Sequence, residues 1–278
     1  MTEVVARGPG EQRVAEALDR MVAEGRPRLH RRWAPLLATG ALGGLDVGVG
    51  ILTLLAVQHE TGSAMLAGLA FSIGFIALLL AHSELFTEGF LVPVAVVGAG
   101  EASVRDLLRM WAAVLVSNLA GGWVFTWLIM VGFPNLRATA IQDGSHFVNG
   151  HFTLQTFVLA PLAGGVITLM TRMQQGTDSM AGKMIAAIAL AFVLAGLRLW
   201  HSILDSLVAF AGLHSGRAPY GYLDWLAWLG WTVLGNLVGG VGLTTLLRMV
   251  RSAPLLAERR EQAQRRENGQ AARSEGRP

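Results

Sequence analysis

Six apolar stretches dominate this sequence, and two of them are interrupted at matching places. Candidate spans run over 35–57, 63–99, 111–132, 152–172, 184–213 and 225–247. About 20 apolar residues carry a helix across a bilayer. Lipid offers no partner to a free backbone group, so such stretches must fold as helices, and a break must be buried or line a cavity. The second stretch breaks at His82-Ser83-Glu84-Leu85-Phe86-Thr87-Glu88-Gly89-Phe90. The fifth breaks over 198–206, around His201-Ser202-Ile203-Leu204-Asp205-Ser206. The two His-Ser pairs stand 119 residues apart. Polar, ionisable breaks in corresponding segments of two half-chains point to the substrate site of an inverted-repeat transporter or channel.

Other features agree with a repeat. Asn118-Leu119-Ala120-Gly121-Gly122 in the third span matches Asn236-Leu237-Val238-Gly239-Gly240 in the sixth, at an offset of 118. Leu42-Gly43-Gly44 in the first finds Ala163-Gly164-Gly165 in the fourth, at an offset of 121. Three spans per repeat is an odd number, so the second copy enters from the opposite side. The expected architecture is an all-α polytopic membrane protein. Six transmembrane helices form two inverted three-helix repeats, 35–132 and 152–250, with the second and fifth helices broken, an aquaporin-like arrangement. The paired glycines read as helix-packing sites. None opens a helix after a strand, as a dinucleotide loop requires, and no cofactor is implied.

With 53% of residues hydrophobic and 15% charged, the composition excludes an ordinary soluble domain. Cysteine is absent, which excludes disulfides and thiolate metal sites. The sequence pI near 10.1 invites a nucleic-acid partner. The basic residues instead flank the apolar spans, so the bilayer is the partner and nucleic acid is not. Nineteen of the 22 Lys and Arg residues lie in 1–34, 100–110, 172–183 and 248–278, all on one side of the bilayer. Only Arg137 and Arg217 fall opposite, with Arg198 inside a span. Both termini are therefore expected in the cytoplasm, with the protein in an inner (plasma) membrane of bacterial type. The first 34 residues are charged and lack an apolar core, so no signal peptide is expected to be removed. Residues 11–24 read as an amphipathic helix, 133–150 as the longest loop, and 251–278 as a charged, disordered tail.

The motifs resemble those of the formate/nitrite transporter family of pentameric anion channels, over about residues 30–250. The resemblance rests on Glu84-Leu85-Phe86-Thr87, on His201-Ser202-Ile203, and on Asn236-Leu237-Val238-Gly239-Gly240. It implies a homopentamer with one pore per protomer. It also implies that His201 is the central pore histidine and Thr87 its hydroxyl partner. Phe71, Phe75, Leu85, Phe86 and Leu194 would form the hydrophobic constrictions. The chain departs from the family pattern at several points. Gly164 or Gly165 stands where an Asn is usual in the fourth span, and Leu204-Asp205 replaces a common Ala-Asn. His82 and Arg198 are also unusual, which places the chain with a divergent, poorly assigned inner-membrane subfamily.

A bare anion in an apolar neck costs on the order of tens of kcal/mol by Born reasoning. A histidine relieves this by carrying a charge or by passing a proton. The expected function is transport of small monovalent anions such as formate, nitrite, hydrosulfide or short carboxylates. A water or neutral-solute channel is the alternative. A third reading, an intramembrane enzyme or metal protein using His59, His146, His151 and His214, lacks any supporting motif. His82, Glu84, Glu88, Arg198 and Asp205 are accessory pore or ion-pair candidates. Arg198 is expected to pair with Glu84 or Asp205. Asp46 is a further acid within a span.

Overall fold

The computed structural model of the protein describes residues 9–150 and 153–275. Every regular element in it is helical: α1 (Pro9–Leu29), α2 (Trp33–Thr61), α3 (Ala64–Ala81), α4 (Val92–Gly98), α5 (Val104–Gly132), α6 (Arg137–Val148), α7 (Leu154–Gln175), α8 (Met180–Gly196), α9 (Leu204–His214), α10 (Tyr222–Leu237), α11 (Leu247–Arg251) and α12 (Ala253–Glu275). A 3₁₀ turn, Phe86–Phe90, precedes α4, and a π-helical stretch, Val238–Leu246, joins α10 to α11. Five of the described helices are long and apolar enough to cross a membrane. Shorter apolar helices cover Phe86–Gly98, Met180–Gly196 and Leu204–His214. The protein is thus a multi-pass membrane protein. Leu66, Leu69, Val116, Leu128, Leu162 and Leu234 stand exposed along helix flanks, as a lipid- or subunit-facing surface requires.

Local chemistry sets where the helices start. Ser63, Ser103, Thr153 and Ser179 each accept a backbone N–H from the first turn that follows them. Ser103 and Asp106 complete a capping box, which extends α5 back to Val104 from the expected start at 111.

Two expectations fail here. The stretch 133–150 is not an open loop, because α6 occupies most of it. Thr139, Ala140, Asp143, Gly144 and Phe147 recur at helical spacing, are buried, and seat α6 against α9. The charged tail is not disordered as far as it is described, because α12 runs on to Glu275. Its Leu256 packs with Leu18 and Val22 of α1 and with Ala95 and Ala99. Arg259 pairs with Asp19, and Arg260 donates to the carbonyl of Gly98 at 2.6 Å. A composition that is polar overall becomes ordered because a single apolar stripe finds a docking face. That face continues along α1, where a Cβ on Gly25 would meet Val92 and Val96 of α4.

Candidate functional site

The two broken segments are built alike around two buried asparagines. Helix α3 ends as His82 turns into the left-handed region at φ 54°. Helix α8 ends the same way as Arg198 turns to φ 53°. Among the described residues, these are the only non-glycine positions with positive φ. Just beyond, the Ser83 N–H reaches the Leu78 carbonyl at 3.3 Å, and the Leu199 N–H reaches the Leu194 carbonyl at 3.0 Å.

The chain between half-helices then needs outside partners. Asn118 of α5 supplies them for the first break. Its Oδ1 accepts the Phe86 N–H at 2.9 Å, and its Nδ2 donates to the carbonyls of Glu84 at 2.8 Å and Gly40 at 2.7 Å. Asn236 of α10 repeats the pattern at the second break. Its Oδ1 accepts the Ser202 N–H at 2.9 Å, and its Nδ2 donates to the carbonyls of Trp200 and Ala160, each at 2.8 Å. Both asparagines are fully buried. Each can reach its partners only because two helices approach closely. A Cβ on Gly44 would collide with the Asn118 carbonyl, and one on Gly164 with the Asn236 carbonyl.

These bonds correct the alignment of the two halves. Phe86 answers to Ser202, Glu84 to Trp200 and His82 to Arg198, an offset of 116. The His-Ser pairs, at 119, are out of register by three residues. Gly44, not Gly43, answers to Gly164. His82 is therefore no counterpart of His201, and in the protomer its side chain is exposed at the end of α3.

His201 and Thr87 do meet. Both are completely buried, and the imidazole Nε2 lies 2.8 Å from the Thr87 Oγ1. The other ring nitrogen settles the tautomer. Nδ1 accepts the Leu204 N–H at 3.0 Å, so it carries no proton. The imidazole is neutral, and its Nε2–H donates to Thr87. This leaves the Thr87 hydroxyl proton free to donate in turn. The His201 N–H donates to the Asp205 Oδ2 at 2.7 Å, and the Asp205 N–H to the His201 carbonyl at 3.1 Å. His201 is thus fastened to the first turn of α9, whose positive end also disfavours a charged ring.

The candidate constriction residues Phe71, Phe75, Leu85, Phe86 and Leu194 are all buried in the same core cluster. The Phe71 and Phe75 rings meet edge to face at 5.1 Å. Phe86 is held in an aromatic group with Phe90 and Trp111.

The charged residues sort differently from expectation. Arg198 pairs with Asp143 of α6 at 2.9 Å, not with Glu84 or Asp205. Asp143 escapes a reading of the sequence, since its segment reads as a loop. Glu84 instead pairs with Arg31 at 2.7 Å, and Arg31 also donates to Thr39 at 2.8 Å. Glu88 is half-buried, within electrostatic reach of Arg28, Glu24 and Glu84. Burial pushes Asp143 above the usual carboxylate range, against the pull of Arg198. Burial also lowers His146 on the same helix, with Arg198 adding to the effect. His59 contacts Thr139 at 3.2 Å and His214 the Trp123 carbonyl at 3.1 Å. His151 lies outside the described residues.

The chain resembles several known proteins in sequence and in fold. The family model for formate/nitrite transporters matches residues 15–250. Inner membrane protein YfdC of Escherichia coli (strain K12) is 26% identical over 258 residues, covering 88% of this chain and 82% of YfdC. Among solved structures, an FNT family ion channel aligns with a TM-score of 0.72 at 18% identity, covering 84% of this chain and 98% of that one. A pentameric formate channel with formate bound aligns with a TM-score of 0.67 at 20% identity, covering 80% and 98%.

Proposed function

The chain belongs to the formate/nitrite transporter family, and we propose that it carries small monovalent anions, such as formate, nitrite, hydrosulfide or short carboxylates, through one pore in each protomer. The supporting observation is the buried Thr87–His201 hydrogen bond, set between two broken helices inside an otherwise apolar cluster. A polar pair in such surroundings is costly unless it serves a passing polar group. The Nε2–H of His201 polarises the Thr87 hydroxyl, and that hydroxyl donates to an oxygen of the anion. Bonds in such a chain strengthen one another. Charging the imidazole would require giving up the Leu204 N–H. The relay therefore works as a neutral donor, and any proton that travels with the anion binds elsewhere. Phe71, Phe75 and Leu194 close the neck on one side, and Leu85 and Phe86 on the other.

The like-built breaks at Asn118 and Asn236 support two inverted three-helix repeats. The Lys and Arg distribution supports cytoplasmic termini. The pentameric relative supports a homopentamer.

Flux into proteoliposomes, with a panel of small anions across pH, tests the reading. His201→Asn and Thr87→Val should each lower anion flux at every pH. Wild-type flux in both variants would refute the assigned roles. Liposomes that pass water or neutral solutes but no anion would favour the water-channel alternative.

A further inference from the structure

A small cavity lies beside the neck, on the Arg198 side. Its volume is about 20 Å³, enough for one water-sized group, and its walls include Gln58, Asp143, Ala195, Arg198, Leu204 and Asp205. Ala195 follows Leu194 of the neck, and Leu204 is the residue whose N–H holds the His201 ring.

The charges there do not suit an anion. The guanidinium of Arg198 is already matched by Asp143 at 2.9 Å. Asp205 adds a second carboxylate, 1% exposed. One of its oxygens, Oδ2, takes the His201 N–H at 2.7 Å. The other, Oδ1, is buried with no hydrogen-bond partner, as is Oε1 of Gln58 on the same cavity wall. Two buried acceptors without a donor are an unfavourable arrangement. A proton on Oδ1 supplies the missing donor and removes the negative charge together.

Among the described residues that line the cavity, Arg198 is the one cation. Helix α6 brings Asp143 to the walls and also carries His146, which burial and Arg198 hold toward the neutral form, and the end of α8 brings Arg198. The segment just before α9 holds His201, kept neutral by the Leu204 N–H. Helices α2 and α3 contribute Gln58, Leu54, Ala64 and Ala67 to the walls. Helices α5 and α10 turn Gly122 and Trp225 toward α9, against Leu207 and Ser206.

We propose that Asp205 makes anion passage proton-linked: a monovalent anion passes from His201 toward Arg198 only when Asp205 carries a proton on Oδ1. The anion and that proton bind together, and by reciprocity each raises the affinity for the other. Asp205 thus acts as the proton site that the neutral His201 does not provide. The inference rests on the anion-transport reading above.

The test uses the full-length protein in proteoliposomes, with nitrate (an anion throughout the range) and formate as probes. From about pH 8 to about pH 5, wild-type uptake should rise about five-fold or more, the lower end of ordinary coupling between sites. Asp205→Asn keeps an oxygen for the His201 N–H and removes the ionisable group. Its uptake should be nearly flat over that range and match the acid-side wild-type rate throughout. An Asp205→Asn protein that retains the slope overturns the proposal. Proton uptake on anion binding to the wild type, followed in weak buffer at neutral pH, gives a second test that needs no variant. About one proton per anion is expected, and none refutes the proposal. A wild type that passes anions without a pH slope defeats only the role of Asp205. A wild type that passes neither probe at any pH defeats the transport reading as well.

Discussion

Replacing Asn118 or Asn236 with leucine tests the logic of the broken helices directly. Each substitution keeps an apolar side chain of similar size in place and removes one acceptor and two donors. Two backbone groups lose their partner at each site: for Asn118 the Phe86 N–H and the Glu84 carbonyl, and for Asn236 the Ser202 N–H and the Trp200 carbonyl, while the Gly40 and Ala160 carbonyls keep their bonds within α2 and α7. A buried polar group left unpaired costs about 1–3 kcal/mol, so each variant should lose about 2–6 kcal/mol. That is a large part of the stability of an ordinary domain, about 5–15 kcal/mol. The aspartate variants grade the effect. Asn118→Asp keeps the acceptor for Phe86, loses both donors, and adds a charge facing two carbonyls, so it should be at least as damaging as leucine. Thermal unfolding in detergent or nanodiscs reads the result. At about 2 °C per kcal/mol or more, the leucine variants should unfold at least about 4 °C below wild type. Midpoints within about 1 °C of wild type would show that the breaks do not depend on these bonds, and the accounting above would fail.

Other expectations concern helix contacts and ends. Gly44→Ala and Gly164→Ala should each disrupt assembly, visible as loss of the monodisperse oligomer on size exclusion, because the new Cβ meets a backbone carbonyl that cannot move independently. Leu256→Glu should release α12 from α1 and make the 253–275 segment sensitive to protease, while anion flux through the pore persists; protection equal to wild type would refute the docking. Ser103→Ala should cost about 1 kcal/mol at neutral pH through the lost α5 cap. The same cap has a pH signature. The Ser103 hydroxyl, followed by its backbone N–H, holds Asp106 below the usual carboxylate range, and Asp106 lies at the aqueous end of α5. A lowered folded pKa gives stability that is present above the unfolded value and lost as pH falls through the folded one. The wild-type advantage over Ser103→Ala should therefore shrink below about pH 4 in unfolding midpoints.

Much of this fold was legible because membranes impose simple rules. Span length and the clustering of Lys and Arg located the helices with little help from tertiary detail. The pairing of Thr87 with His201 was implied by the family resemblance, through Leu85-Phe86-Thr87 and His201-Ser202-Ile203, and the two side chains do lie in contact. What escaped depended on partners far apart in sequence. Asn118 and Asn236 were visible as a repeated motif, yet nothing local says that a side-chain amide reaches two carbonyls across a helix interface. An uncharged polar residue at the same place in two apolar spans was the available signal. Asp143 was hidden because α6 is short and mixed in character, so Pro134, Asn135 and Gly144 suggested a loop. Its spacing of Ala140, Asp143, Gly144 and Phe147 carried the helix, with an acid on the buried face. Glu84 and Arg198 each looked like the other's partner, but the fold satisfies each locally, one with Arg31 and one with Asp143.

The corrected register changes what the two halves mean. At an offset of 116, His201 stands where Leu85 does, and Thr87 stands where Ile203 does. Each polar member of the central pair thus faces an apolar residue at the corresponding place in the other half. The symmetric scaffold, with its two asparagines, two close glycines and two left-handed turns, builds the breaks and opens the space between them. The chemistry is placed on that scaffold asymmetrically, one polar group from each half. The same holds for the charges, because Arg198 occupies the turn taken by His82, and Asp205 has an Oδ1 that no protein group satisfies. In the proposed pore, a neutral donor at His201 and a titratable group at Asp205, one helical turn away, separate hydrogen bonding from charge compensation. That separation is why His201→Asn and Asp205→Asn should differ in kind: the first lowers flux at every pH, and the second removes its dependence on pH.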